Sequence, residues 1–317
     1  MLSFVKKWGL LAAALLLPLL VKGTDLSYLV RVGGIVGLSM ILGLGLNFTL
    51  GYVGLFDLGF IAFYAVGAYT AAIGAAYGLS PLIIFPLAIA MSMLVRLALG
   101  VTILRLRGDY LAVVTMGFGE IARLVINNLD AITNGPKGMQ VAQLKVLGLA
   151  FRNNDYFYYL IVASVLLCVL ASKRMEDSRI GRAWVAIRED EVAAKLAGIP
   201  VAQLKLLAFT LSAAFAGLAG AIFAYWEGFV TPESFVFWES ILIVSIVVLG
   251  GMGSVSGVLL GALILSGSPQ LMQAFLSSAW INYRYLFFGL ILVLVTLFRP
   301  QGLLPSKRRE AELETLQ

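Results

Sequence analysis

An all-α, polytopic transmembrane helical bundle is the fold class this sequence predicts, and three observations carry that reading. Hydrophobic residues make up 61% of the 317 and charged ones only 13%, where a soluble domain has roughly 25% charged residues. The apolar residues fall in long runs separated by short polar joints, the pattern of helices crossing a hydrocarbon core. The alternating segments of about ten residues that mark a membrane barrel are not seen. The 33 glycines suit close helix contacts in lipid better than flexible linkers.

A hydrocarbon core of ~30 Å needs about 20 helical residues, and on that rule about ten spans are expected. The first, Trp8–Val21, follows Lys6 and Lys7. It resembles a signal peptide except that no convincing small-residue cleavage site follows, so its retention is expected. Tyr28–Phe48 holds Arg31 and a small-residue face at Gly33 and Gly37, and Leu55–Tyr77 opens with Asp57 beside Gly59, a candidate helix cap. Pro81–Leu104 contains Arg96. Tyr110–Leu129 begins after Asp109, placed to cap it, and carries Glu120 and Arg123 three residues apart. Phe157–Ser172 holds Cys168, the single cysteine, whose plain reading is a buried structural thiol. Leu206–Trp226 shows small residues at Ala213, Gly217 and Ala221, and Trp238–Gly250 begins with Glu239. Ser256–Leu276 takes in two of three glycines at four-residue spacing, Gly253, Gly257 and Gly261, a candidate packing face. Tyr283–Phe298 closes the series.

The net charge of +6 suggests nucleic acid until the bases are located. They lie in the joints, where they orient a membrane protein, so no nucleic-acid partner is expected. Ten spans put Lys6, Lys7, Arg105, Arg107, the bases from Lys173 to Lys205, Arg299, Lys307, Arg308 and Arg309 on one face. These are 15 of the 23 basic residues, against Lys22, Lys137, Lys145 and Arg152 opposite. By the positive-inside rule the first face is cytoplasmic, and so are both termini. Residues 1–317 are therefore expected to form one transmembrane domain with a cytoplasmic segment at 173–205 and a cytoplasmic tail at 300–317.

That segment is the main anomaly of composition. Asp190 is a candidate N-cap dividing it into two short helices, and Glu191 precedes Lys195 by the four residues that favour a helical ion pair. Val185, Val192, Leu196 and Ile199 fall near one side. Gly198 followed by Pro200 is a strong helix stop. On these residues alone the segment is either a docking element for a cytoplasmic protein or an anchor on the membrane surface.

Histidine is absent, no clustered carboxylates lie on one span, and no G-x-x-x-x-G-K-[ST] string occurs. A metal site, a membrane enzyme and an ATP-binding P-loop within the chain are therefore not expected. An ion-coupled secondary transporter would more often show paired broken helices and several midplane carboxylates, whereas Glu120 is the one good candidate here. Glu120 and Arg123 read either as a structural ion pair or, with Asn127 and Asn128 a turn further on, as polar groups beside a translocation path. The outer "TNGPKG" reads as a turn or as a contact for a substrate-delivering protein.

"AAKLAG", Ala193 to Gly198, resembles the Ala-Ala-x-x-x-Gly core of the EAA loop of bacterial ABC importer permeases, with Glu191 one place before the usual acidic position. "LNFTLGYVGLFDLGFIAFYAVGAYTAA", "GDYLAVVTMGFGEIARLVINN", "TNGPKGM", "GRAWVAIREDEVAAKLAGI", "KLLAFTLSAAFAGLAGAIFAY" and "VLGGMGSVSGVLLGALI" resemble, in order, blocks of the branched-chain amino acid ABC-transporter permease family, LivM branch. The resemblance runs from about Gly37 to Pro300. Phe56-Asp57 stands where the family usually has a small polar pair, and Asn134 where a Gly is common.

The resemblance implies a subunit of the bacterial cytoplasmic (inner) membrane that moves branched-chain or related neutral amino acids, and not an enzyme. It implies a second homologous permease chain, two cytoplasmic ATPase subunits that carry the ATP and Mg, and an extracytoplasmic binding protein. No cofactor is implied on this chain. Arg188, Glu189, Asp190, Glu191, Ala193, Ala194 and Gly198 would form the coupling element toward the ATPase. Members of the same family also serve urea and short amides.

Overall fold

The computed structural model describes residues 28–103, 108–146, 149–150 and 154–275, with Pro18 and short pieces at 289–290, 293–294, 297–299 and 301–305. The expected first span, most of the last one and the tail beyond 305 lie outside the described residues. So do Lys6, Lys7, Lys22, Arg105, Arg107, Arg152, Lys307, Arg308 and Arg309.

The described chain is a bundle of α-helices. α1 (Tyr28–Leu46) runs unbroken into a π-helical stretch, Asn47–Val53. α2 (Ile61–Ala76), α3 (Pro81–Ile103), α4 (Asp109–Asn128) and the single turn α5 (Asp130–Thr133) follow. After the joint at 134–153 come α6 (Asn154–Glu176), α7 (Arg179–Glu189), α8 (Glu191–Leu196) and α9 (Val201–Glu227). α10 (Phe237–Gly250) and α11 (Val255–Phe275) complete it. Among the described residues six stretches are long and apolar enough to cross a membrane: Tyr28–Val53, Pro81–Gly100, Tyr110–Asn128, Asn154–Glu176, Val201–Glu227 and Pro232–Gly250. Ile61–Ala76 and Val255–Leu271 are shorter apolar helices. Among the described residues strand is confined to two antiparallel pairs of two-residue strands, β1 (Met139–Gln140) with β4 (Phe229–Val230) and β2 (Lys145–Val146) with β3 (Leu149–Ala150).

α9 is the central pillar. It packs along α2 and α3 and meets α1, which in turn packs on α6, α10 and α11. Of the most apolar window of α9, 67% is buried within the bundle, against 17% for α4; α4 is thus the most peripheral of these spans. Apolar burial does not hold helices together in lipid, so close backbone approach must do so. A β-carbon at Gly67 would lie 2.6 Å from the Gly217 Cα, and one at Gly217 would lie 2.8 Å from the Ala88 carbonyl oxygen. The small faces of α1 and of α9 thus meet real neighbours: Gly33 faces Tyr158 and Gly37 faces Ile161.

Three expectations are corrected. The span expected from Leu55 is not helical until Ile61. Gly54, at φ +77°, ends the π-helical stretch, and the Asp57 carboxylate accepts from the Gly59 N–H at 3.2 Å, favouring a turn over a helix. The Gly253, Gly257, Gly261 face is shorter than its spacing predicts. Gly257 and Gly261 do line α11 against Gly250, but Gly253 sits in the preceding turn at φ +82°, a left-handed position that glycine alone adopts freely. Gly108 (φ +58°), not Asp109, stands at the cap position of α4, whose first residue is Asp109.

Candidate functional site

The charged insert folds into two helices joined at Asp190. Ser178 caps α7, its Oγ accepting from the Gly181 N–H at 3.1 Å. Asp190 is extended (φ −151°) and caps α8, its Oδ1 accepting from the Val192 and Ala193 N–H groups at 2.7 and 3.0 Å. The end of α8 is a Schellman motif: the Ile199 N–H bonds the Ala194 carbonyl, the Gly198 N–H bonds the Lys195 carbonyl, and Gly198 is left-handed at φ +81°. A side chain at Gly198 would meet nothing within 4 Å, so that turn faces open space.

The mount is aromatic. Trp184 of α7 is fully buried, stacks on Tyr52 (centroids 6.3 Å apart) and meets Phe48 edge-on at 5.8 Å. Its indole N–H donates to the Leu204 carbonyl at 2.8 Å, which satisfies the one polar group that burial would penalise. Arg188 Nη1 donates to the Gly51 carbonyl of the π-helical stretch at 2.6 Å. In that stretch Asn47, also buried, accepts through Oδ1 from the Gly253 N–H at 2.9 Å, so α7, α1 and the α10–α11 turn meet at one point. π-helical turns are rare and concentrate at functional sites.

The expected coupling residues divide by role. Arg188 is part of the mount, Ala194 is buried, and Glu189, Asp190, Ala193 and Gly198 are exposed. Spacing predicts Lys195 as the partner of Glu191; the structure gives it Lys205, whose buried ammonium lies 2.8 Å from Glu191 Oε2. A buried cation needs such a partner more than an exposed one does. The predicted apolar side is also corrected. Val185 and Ile199 are half-buried, while Val192 and Leu196 point outward, 62% and 85% exposed. α8 therefore offers an apolar and alanine surface on a rigid base.

Glu120 and Arg123 pair as expected, Arg123 Nε lying 3.1 and 3.2 Å from the two carboxylate oxygens. Glu233, not singled out by the sequence, joins them at 3.3 Å from Arg123 Nη1. The pair lies past the middle of the helix least covered by the bundle. A partly exposed ion pair at that depth must face water or protein rather than lipid. Asn127 is half-buried, and exposed Asn128 spends its amide on its own helix, donating to the Leu124 carbonyl at 2.7 Å.

Sequence reading also missed a partnership. Asp57 and Arg96 form an ion pair with both side chains at or below 1% exposure, the guanidinium carbon lying 4.5 Å from the Phe63 ring and 4.1 Å from the Phe209 ring. Each charge stood out alone in an apolar run, which was the available signal. Arg31 pairs with Glu227 at 2.8 Å beside the Trp226 ring. Among the described residues no three His, Cys, Asp or Glu side chains stand close enough to share a metal ion.

The profile of the family described as "branched-chain amino acid transport system / permease component" matches residues 28–296, nearly the whole chain. The chain belongs to that family. It is 42% identical over 301 residues to the high-affinity branched-chain amino acid transport system permease protein LivM of Salmonella typhimurium, covering 87% of this chain and 70% of that one. The Escherichia coli LivM protein is 41% identical over 332 residues, covering 96% and 76%. The LivH permease protein of Salmonella typhimurium is 35% identical over 127 residues, 40% of each chain. No solved structure matches. As a member of this permease family with several apolar spans, the chain is a multi-pass membrane protein.

Proposed function

We propose that this permease is a membrane subunit of an ABC importer in the bacterial cytoplasmic membrane. It translocates branched-chain or related neutral, hydrophobic amino acids by ATP-driven alternating access. The observation that carries the reading is α8: a capped, stopped helix with Val192 and Leu196 exposed, fixed by Trp184 and Arg188 to the inner end of α1. An apolar knob on a rigid mount suits transmission of force from a docked protein and suits a passive anchor poorly. The coupling element is then Arg188 to Gly198, and the docked protein an ATPase.

Two ATPase subunits would carry the ATP and Mg, a second homologous permease chain would complete the membrane unit, and an extracytoplasmic binding protein would deliver substrate. The names of the LivM and LivH relatives fit that assembly. Ten spans with both termini in the cytoplasm, and α8 on the same side, remain the topology that the charge distribution supports. Glu120 and Arg123, with Asn127 and Asn128, are the polar groups proposed to flank the path. This chain's task is mechanical and not enzymatic. Moving a two-state permease from 1:99 to 99:1 needs about 5.5 kcal/mol of differential free energy, which the ATPases supply through α8.

The test is uptake into proteoliposomes holding this chain with the subunits that copurify with it. Labelled leucine should enter only with ATP, and unlabelled isoleucine or valine should compete more strongly than proline, glutamine or urea. Uptake by this chain alone, driven by an ion gradient without ATP, contradicts the reading. Stronger competition by urea would move the substrate to short amides within the same family.

A further inference from the structure

The unwound segment 54–60 joins the coupling element to the helix that carries Glu120 and Arg123. Gly54 stands at φ +77°, and a β-carbon there would lie 2.9 Å from Arg188 Cγ, so α7 presses on this end of the segment. Three residues on, Asp57 is locked to Arg96 of α3 between the Phe63 and Phe209 rings, the most fully buried charges described. Immediately beyond, the Leu58 N–H donates to Thr115 Oγ1 of α4 at 3.1 Å. Gly59 lies flat against the same helix: a β-carbon there would run into the Thr115 carbonyl, and one on Gly119 would lie 3.2 Å from the Gly59 Cα. Seven residues thus touch the coupling element, the bundle core and α4 in succession. α4 is the spanning helix with the least cover of its own, so these contacts weigh heavily in setting its position.

The geometry points to a lever. Segment 54–60 pivots on the Asp57–Arg96 pair and converts displacement of α7 into displacement of α4, with Thr115 as the receiving contact. A desolvated ion pair clamped between two rings resists sliding, which is what a pivot requires. Gly54 and Gly59 give the flanking backbone the freedom and closeness that hinge positions need. Thr115 and Asp57 are therefore positioning residues: neither is assigned a contact with substrate.

This lever rests on the coupling reading of α8, and the experiment separates the two. The assembled importer is reconstituted with wild-type chain, Thr115→Val, Thr115→Ser, Asp57→Asn or Leu196→Asp. Copurification of the other subunits, ATP turnover without leucine, and leucine taken up per ATP hydrolysed are measured. Thr115→Val, which removes the hydroxyl at nearly constant volume, should leave assembly and leucine-free turnover as in wild type and lower uptake per ATP about tenfold, the size expected when a part-buried N–H loses its partner. Thr115→Ser, which keeps the hydroxyl, should restore that ratio. Asp57→Asn should uncouple in the same way; should it not accumulate in the membrane, the Thr115 pair decides alone. An unchanged ratio in Thr115→Val, with Leu196→Asp losing its partner subunits, overturns the lever and leaves the coupling reading standing. Full assembly and coupling in Leu196→Asp overturns both.

Discussion

Arg96 shows most sharply what a single residue does in this protein. A guanidinium in an apolar interior is tolerable only with a counter-charge, and Asp57 supplies it from a segment 39 positions earlier in the chain. Removing one partner strands the other: Arg96→Met should destabilise the detergent-solubilised chain by about 3–5 kcal/mol, whereas Asp57→Leu combined with Arg96→Met should recover most of that loss. Paired melting curves check this, and additive losses in the double variant contradict it. The sequence made each charge conspicuous but could not pair them, because the pairing depends on how α3 packs beside the start of α2. Trp184 was less legible still. Its role in mounting α7 on α1 emerges only once Tyr52 and Phe48 are placed against it. Asp190 and Gly198 were readable because caps and left-handed stops depend on local backbone geometry alone.

At the scale of elements, helix contacts are set by glycine where backbones touch and are indifferent to it elsewhere. Gly257 lies against the α10 backbone, and a β-carbon there would come within 2.8 Å of the Leu304 carbonyl oxygen. Gly257→Leu should therefore cost about 1–3 kcal/mol through overpacking. Gly117 of α4 has nothing within 4 Å of its would-be β-carbon, so Gly117→Ala should be neutral or slightly stabilising, by at most ~1 kcal/mol. Thermal unfolding of the two variants measures the contrast, and equal melting temperatures contradict it. The apolar helices within 28–275 were legible from hydropathy, and the short helices of the charged insert from the Asp190 cap and the Gly198–Pro200 stop. The π-helical stretch and the break at 54–60 were not, since "GYVGLFDLGF" has no polar residue but Tyr52 and Asp57 to mark a joint. What interrupts the helix is a tertiary commitment, Asp57 to Arg96 and Leu58 to Thr115, that hydropathy does not encode.

The whole molecule is a dense inner group, α1, α2, α9, α10 and α11, with α3, α4 and α6 exposing apolar residues outward. Lipid suits most of that outer surface, and the part of α4 that bears Glu120 and Arg123 is the stretch proposed to flank the path. Membrane class and family were legible from composition and from the order of motifs, and the family match bears them out. The mechanical layout was not legible: α8 stands outward, α7 clamps the π-helical end of α1, and segment 54–60 leads from that clamp to α4. The account therefore stands or falls on whether α8 is where a partner grips. Leu196 is 85% exposed, so its replacement leaves the chain's own packing intact. The most direct measurement is copurification of an ATPase subunit with Leu196→Asp. The account predicts that the variant reaches the membrane at wild-type level and retains at most about a tenth of the ATPase, the loss expected when an apolar anchor gives way to an unpaired charge. Wild-type ATPase recovery with undiminished ATP-driven leucine uptake would contradict it.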